Sequence, residues 1–371
     1  MYLTIKFIKK TALVINLVFA FSLLLAYIAK FIDPRHAEVL AIFGLAYPYF
    51  LIINLLFLLF WLVYSKKTAI ISLGIIILAL TDMPRLIYFS NKKDCNQSGS
   101  SLKVMSWNVR LFDLYNWSHN TETRNRMFDL IKNEKADVLC LQEFFNSDIK
   151  NYFTTLDTLL VLQDVRYYHV AYSKTVKKKY HYGLAIFSKY PIIRKGHVRQ
   201  DGKPLSSSND CIYADIKTAE DTIRVYNMHL ASIRFDNKTY SFIENIGRMK
   251  ESERIHGFRF IISHLIQAFV QRAAQLDLVL RHINSSPFPI IACADLNDSP
   301  TSNAYQRLSK NLTDAFTICG SGMGTTYHGS FPGFRIDYIM TSNELRSSCF
   351  QTIPDELSDH HPISCKVLLK N

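Results

Sequence analysis

Ile290-Ile291-Ala292-Cys293-Ala294-Asp295-Leu296-Asn297 is an apolar run that stops on an acid and an amide, and its reading decides the fold. A short apolar run bounded by polar residues is what a strand buried on both faces looks like. The construction recurs through the second part of the chain. Asn108 follows Val104-Met105-Ser106-Trp107, Glu143 follows Asp137 to Gln142, and His229 follows Val225-Tyr226-Asn227-Met228. Asp337 lies within Arg335 to Ile339, and Asp359 and His360 precede the final run Pro362 to Leu369. Between these strand-like runs lie helix-like segments. The longest extends from about Phe260 to Ile283, with Ile262, Leu265, Ile266, Phe269, Ala273, Leu276 and Leu280 at three- and four-residue steps. Strands mixed with helices from residue 102 onward predict one α/β or α+β domain with a substantial core and no internal repeat. Polar side chains just beyond apolar strands are where a sheet-based enzyme presents its site, although an acid at a strand end is more often a cap or turn residue.

Working outward, the front of the chain has a different texture. Thr11 to Ala29 and Val39 to Ser65 contain no charged residue, and each reads as a membrane-spanning helix. A cleavable signal peptide is the alternative for the first, but no small-residue cleavage site precedes Lys30 and a second span follows. Thr68 to Thr81 is short for a span and reaches Phe89 only if Asp82 and Arg85 lie near the headgroups. On a helix those two would pair on one face, with Pro84 bending the end. We favour a third span. Lys6, Lys9, Lys10, Lys66 and Lys67 would then lie inside and everything after Phe89 outside, whereas two spans would leave it inside.

The expected organisation is a membrane anchor over 1–90, a polar linker over 91–101 and a soluble domain over 102–371. Eleven linker residues reach about 36 Å at most, which keeps the domain near the surface. Residues 1–94 carry ten Lys+Arg and four acids, half of the net charge of +12, so the pI of about 9.2 reports membrane orientation more than substrate. No polycationic nucleic-acid arm is present. All seven cysteines lie after residue 94, and an odd number cannot pair completely within one chain. Cys140, Cys293 and Cys365 sit in apolar runs and read as buried thiols.

Taken together, SWN at 106–108, LQE at 141–143, GLAIFSKYPI from Gly183, NMHL at 227–230, ADLN at 294–297, RIDYI at 335–339 and SDHHP at 358–362 resemble the endonuclease/exonuclease/phosphatase superfamily. The likeness is to a membrane-anchored, bacterial-type member and covers Leu102 to the C-terminus. The family usually reads GDFN and NTHL where this chain has Ala294, Leu296 and Met228, changes that bear on local packing. The resemblance implies a DNase I-like four-layer α/β/β/α sandwich behind the transmembrane segment, and hydrolysis of a phosphodiester or phosphomonoester with Mg²⁺ or Mn²⁺. It implies Glu143 as a metal ligand, with Asn108 and Asp359 completing the metal site. Asp295 would orient or deprotonate the attacking water and Asn297 fix its geometry. His229 and His360 would face the phosphate, and Asp337 would hold His360 in one tautomer.

Other readings stand beside these. Asp359-His360-His361 suits zinc, yet no cysteine or histidine pair at finger spacing accompanies it, and His361 reads as structural. Arg272 and Gln275 read as buttresses, and Lys177-Lys178-Lys179 with Lys174 as a solvated hairpin loop. Tyr182, Tyr115 and Trp117 are candidates to line the cleft. The polar insert from Asp236 to Gly257 suits substrate choice without identifying the substrate. The expected location is the inner membrane as a multi-pass protein, with the catalytic domain periplasmic or otherwise extracytoplasmic. Lipid, nucleotide and nucleic acid remain open as phosphoester substrates, with anchoring favouring a lipid or other membrane-associated one. The competing functions are a DNA or RNA nuclease of the same superfamily, a catalytically silent tethered binding module, and a transporter with a soluble appendage; no protein partner is implied.

Overall fold

The computed structural model describes residues 2–89, 100–199, 210–233, 251–329 and 333–369. The apolar front forms helices α1 (Tyr2–Ala29), α2 (Glu38–Leu45), α3 (Tyr47–Tyr64), α4 (Lys66–Ala79) and the short α5 (Met83–Leu86). Three helical stretches are long and apolar enough to cross a membrane: Lys6–Ala29, Tyr47–Tyr64 and Lys66–Leu86. The uncharged stretch from Val39 is therefore not one helix. It breaks at Ala46, where Pro48 enters the first turn of α3 without a backbone donor, as prolines at helix starts do. Polar groups tie the three long helices together, as expected where hydrophobicity cannot separate helix from lipid. Asn16 Nδ2 donates to Ser72 Oγ (2.9 Å), and Trp61 Nε1 donates to Asn16 Oδ1 (2.9 Å). Lys9 Nζ donates to the Tyr64 carbonyl at one end of the bundle, and Lys30 meets Asp82 at 2.5 Å at the other. Asp82 and Arg85 pair at 3.4 Å as their spacing predicts.

From Ser101 the chain builds two six-stranded sheets. One has the order β13-β14-β2-β3-β5-β4, made of β2 (Ser101–Asn108), β3 (Val138–Ser147), β4 (Tyr167–Val176), β5 (Tyr180–Ser188), β13 (Leu345–Thr352) and β14 (Ile363–Leu369). The other has the order β10-β12-β9-β8-β7-β6, made of β6 (Ile192–His197), β7 (Asp210–Lys217), β8 (Thr222–His229), β9 (Ile290–Asp295), β10 (Thr313–Asp314) and β12 (Asp337–Thr341). Strand period two explains the layering. On β2, Leu102 and Val104 enter the core between the sheets, while Met105 and Trp107 face the outer layer of α6 (Thr123–Glu134) and α7 (Thr155–Gln163). On β9, Ile291 and Cys293 point inward, and Ile290, Ala292 and Ala294 face α8 (Glu251–Asn284) and α9 (Asn303–Leu308). The result is the four-layer α/β/β/α sandwich. Helix α8 starts at Glu251, earlier than its stripe predicts, so 251–257 of the polar insert are helical; the rest of the insert and most of the 91–101 linker lie outside the described residues.

The sandwich is docked on the bundle. Two short strands, β1 (Tyr88–Phe89) and β11 (Ser321–Gly322), pair antiparallel, and Tyr88 packs on Phe316 of α10 (Phe316–Cys319). Arg35 meets Asp277 at 2.7 Å, Asn303 Nδ2 donates to the Lys30 carbonyl (3.0 Å), and Thr301 Oγ1 donates to the Gly44 carbonyl (3.1 Å).

Candidate active site

Each sheet contains one parallel pair, β2 with β3 and β8 with β9, and the C-terminal ends of both pairs face the same space. Register then sets the neighbours. His229 pairs with Asp295, Asp295 with Asp337, and Asn108 with Gln142, the residue before Glu143. Glu143 lies at a bulge between Leu141 and Phe144 and takes a left-handed backbone (φ 49°), which turns its carboxylate out of the ladder. Asn297 is also left-handed (φ 52°) and closes the turn after β9.

The predicted residues converge. Asn108 Nδ2 donates to Asp295 Oδ2 at 2.9 Å, and the Asn297 backbone N–H donates to Asp295 Oδ1 at 2.9 Å. His229 Nε2 lies 3.6 Å from Asp295 Oδ2 and 3.8 Å from Glu143 Oε1. His360 Nδ1 lies 2.9 Å from Asp337 Oδ2 and 4.0 Å from Asp295 Oδ2. Trp107 Nε1 donates to the His360 carbonyl, and Ser358 Oγ donates to the Asn108 carbonyl, each at 2.8 Å, which fixes the last loop against β2. Asp359 pairs with Arg110 at 3.4 Å.

Electrostatics divides these groups. Burial pushes the Asp295 carboxyl up, and Asp337 adds to this, against the pull of His360 and His229. Burial works against a charged His360, but Asp337 and Asp295 outweigh it and hold the imidazole well above its ordinary value. Partial burial raises Glu143, and His229 opposes the rise. The chemistry of the set suits a hard divalent cation: carboxylates from Glu143, Asp295, Asp337 and Asp359 surround one space. Among the described residues, Asp295, Asp337 and His360 place ligand atoms within 4.8 Å of one another. His229 Nε2 and Asp337 Oδ1 are buried there without a hydrogen-bond partner among the described residues. Asp295 and His360 are already bound to Asn108 and Asp337, whereas the Glu143 and Asp359 side chains are 34% and 22% exposed and open to an ion.

Arg272 Nη1 donates to the Ala231 carbonyl (2.8 Å), and Gln275 Oε1 accepts from Ala231 N–H (2.8 Å); both buttress the strand end behind His229. His361 Nδ1 donates to the Asp355 carbonyl and its ring stacks on His328. Lys177 to Lys179 form the exposed β4–β5 turn. Tyr115 and Tyr182 hydroxyls meet at 3.4 Å, and Trp117 stacks on Arg110, giving an aromatic rim. Beside Asp359 opens a cavity of about 350 Å³ lined by Arg110, Asp113, Ser118 and His328.

Two groups escaped the sequence reading. Gln142 Nε2 donates to Asn227 Oδ1 (2.7 Å), and Asn227 Nδ2 donates to the Leu141 and Ala185 carbonyls, a fully buried bridge between the sheets. An amide inside each of two apolar runs was the available signal. The other group is Arg335, buried beside the site.

A four-layer sandwich with carboxylates, amides and imidazoles gathered at the ends of its parallel strands is a phosphoesterase fold. The Endonuclease/Exonuclease/phosphatase family matches residues 105–360, and this chain belongs to that family. Residues 9–86 match a domain of unknown function (DUF8431). No curated protein is detectably similar in sequence. Among solved structures, an endonuclease/exonuclease/phosphatase family protein of Bacteroides thetaiotaomicron is 17% identical with TM-score 0.53, covering 74% of this chain and 100% of that one. The catalytic domain of human Nocturnin, with bound sulfate, is 18% identical with TM-score 0.52, over 73% of this chain and 94% of that one. An endonuclease/exonuclease/phosphatase from Beutenbergia cavernae is 16% identical with TM-score 0.52, over 73% of this chain and 72% of that one.

Proposed function

We propose that this protein is a membrane-anchored, divalent-metal-dependent phosphoester hydrolase acting outside the cytoplasmic membrane on a lipid or other membrane-associated phosphoester. The observation that carries the reading is the convergence of Asn108, Glu143, His229, Asp295, Asp337 and His360 at the ends of two parallel strand pairs. Glu143 and Asp359, with the Asn108 side chain beside them, would hold Mg²⁺ or Mn²⁺, which when bound neutralises charge on the phosphate oxygens. Asp295, raised by burial and held on both oxygens by Asn108 and Asn297, orients the attacking water in line and takes its proton. His229 and the charged His360 donate to the phosphate oxygens, where negative charge grows. Asp337 keeps His360 charged and turned into the site.

Three spans put the basic end of the bundle, with Lys6, Lys9, Lys10, Lys66 and Lys67, opposite the end that meets the sandwich. Cys140, Cys211, Cys293 and Cys365 are buried thiols outside any disulfide.

The test uses the full chain in detergent or nanodiscs. Wild type should hydrolyse bis-p-nitrophenyl phosphate, lose activity to EDTA and regain it with Mg²⁺ or Mn²⁺. Unchanged turnover in Asp295→Asn, or indifference to chelator, would falsify the mechanism. Parallel assays on phospholipid vesicles, DNA and RNA decide the substrate, and preference for nucleic acid would replace the lipid reading. A C-terminal alkaline phosphatase fusion inactive in cells would overturn the outside placement.

A further inference from the structure

Two of the chain segments that carry the site also dock the sandwich on the bundle. Six residues beyond Asn297, Asn303 binds the Lys30 carbonyl, and between them Thr301 binds the Gly44 carbonyl. Two residues before Asp337, a span of about 7 Å at most, Arg335 reaches the bundle directly. Its Nη2 donates to the Arg85 carbonyl at 2.6 Å and its Nη1 to Asp314 Oδ2 at 2.7 Å. The guanidinium is buried against the rings of Phe316 and Tyr338. Tyr338 closes the link, because its hydroxyl lies 2.8 Å from the carbonyls of both Asp298 and Arg335. Arg85 is held by Gln306 of α9 (2.5 Å) and, within the bundle, by Asp82 (3.4 Å), which the buried Lys30 holds in turn.

A buried guanidinium tolerates little displacement, because any donor pulled from its acceptor is stranded without water. Here one of the acceptors belongs to the bundle. Arg335 Nε already has no hydrogen-bond partner among the described residues, so the Asp314 and Arg85 contacts carry the compensation.

We propose that the Lys30–Gly44–Arg85 end of the helical bundle is part of the active-site scaffold, and that Arg335 is the positioning residue through which it holds Asp337 and His360. This gives the 9–86 segment a role beyond retention at the membrane. The inference rests on the proposed reading of Asp337 and His360 as the working pair.

The test uses the full chain in nanodiscs and a water-soluble substrate, bis-p-nitrophenyl phosphate, so that access to lipid plays no part. Asp82→Asn, a bundle-side change that touches nothing in the sandwich, should lower kcat about tenfold with KM within about twofold, the size of coupling that packed networks carry. Arg335→Met should do the same and Arg335→Lys should recover part of the loss. Arg35→Gln breaks a docking contact to α8 outside the two catalytic segments and should leave kcat unchanged. Should Arg335→Met fail to fold, Asp82→Asn and Arg335→Lys still decide the question. Hydrogen exchange reads the link without turnover: peptides spanning 298–303 and 335–338 should exchange faster in Asp82→Asn. Wild-type kcat and unchanged exchange in a folded Asp82→Asn protein overturn the proposal, as does an equal loss of kcat in Arg35→Gln. Faster exchange in a protein that hydrolyses nothing would leave the scaffold in place and remove the hydrolase reading instead.

Discussion

Replacing Asp337 by Asn keeps the shape of the Asp337–His360 pair and removes its charge. The carboxylate oxygen and imidazole nitrogen lie 2.9 Å apart, both residues are buried, and Asp295 stands 4.0 Å from the same nitrogen. Burial would push His360 down; Asp337 first, then Asp295, hold it well above its ordinary value. A hydrogen bond to a charged group is worth about 1.5–3 kcal/mol, so Asn removes that much of the preference for the imidazolium and His360 gives up its proton at lower pH. In wild type the imidazolium is complete below the ordinary histidine range and is lost only as pH rises through the elevated folded value. In Asp337→Asn that loss begins earlier, so the alkaline limb of kcat/KM should move to lower pH. The assay is the pH–rate profile of the metal-loaded full chain on bis-p-nitrophenyl phosphate, with a thermal melt beside it. The melting midpoint should fall as well, because the buried imidazolium loses its carboxylate partner, so the profile is read at temperatures below that midpoint. An alkaline limb that stays in place in a folded variant would refute both the charge on His360 and the role of Asp337.

Glu143→Gln should weaken Mn²⁺ binding, titrated by electron paramagnetic resonance, by at least about tenfold and lower kcat by about a hundredfold or more; wild-type affinity would remove Glu143 from the metal site. His169, buried with Nε2 3.2 Å from the Gly196 carbonyl, is held down to about 4 by burial. The unfolded chain therefore binds this proton first, and stability should fall by about 3 kcal/mol as pH drops from the ordinary histidine value to about 4, then level off. Urea midpoints against pH should lose that limb in His169→Gln, and an unchanged limb would assign it elsewhere. Gly183→Ala would set its Cβ 1.9 Å from the Ala171 carbonyl oxygen, inside the β4–β5 pairing. It should cost about 3 kcal/mol or more, and a near-wild-type urea midpoint would show that the strands can part there.

The sandwich was legible because its layers are written in period two. Leu102 and Val104 against Met105 and Trp107 assign the two faces of β2 without any long-range knowledge. The site was legible for a related reason: Asn108, Glu143, His229 and Asp295 each end such a run, and parallel strands bring run ends together. What escaped is non-local. The amide bridge from Gln142 to Asn227 joins residues 85 apart, and Arg335 reaches across 250 residues to Arg85. Contacts of that separation leave no periodic trace, so two quiet polar residues inside apolar runs gave no sign of which partner each would find. The break at Ala46 was missed because hydropathy records only what is apolar, and both helices are. The early start of α8 was missed because its first turns carry little of the stripe that marks the rest.

The backbone around the site shows why so much support converges there. Arg110, Leu111, Phe112 and Asp113 are consecutive left-handed residues, and Glu143 and Asn297 share that conformation, none of them glycine. Each such residue costs on the order of 1 kcal/mol or more and persists only where its surroundings over-determine it. For the 110–113 turn the anchor is Phe112, fully buried against Phe128 and Phe144. For Asn297 it is Leu296, fully buried in the α8 layer, together with the Asn297 Nδ2 bond to the Leu230 carbonyl. For the loop beyond Asn297 the supports are Arg272 on Asp298 and the bundle contacts of Thr301 and Asn303. A site held in strained backbone from the core on one side and from the bundle on the other is sensitive to both. Changes in the apolar front of the chain should therefore register in catalysis even on a substrate that never meets the membrane.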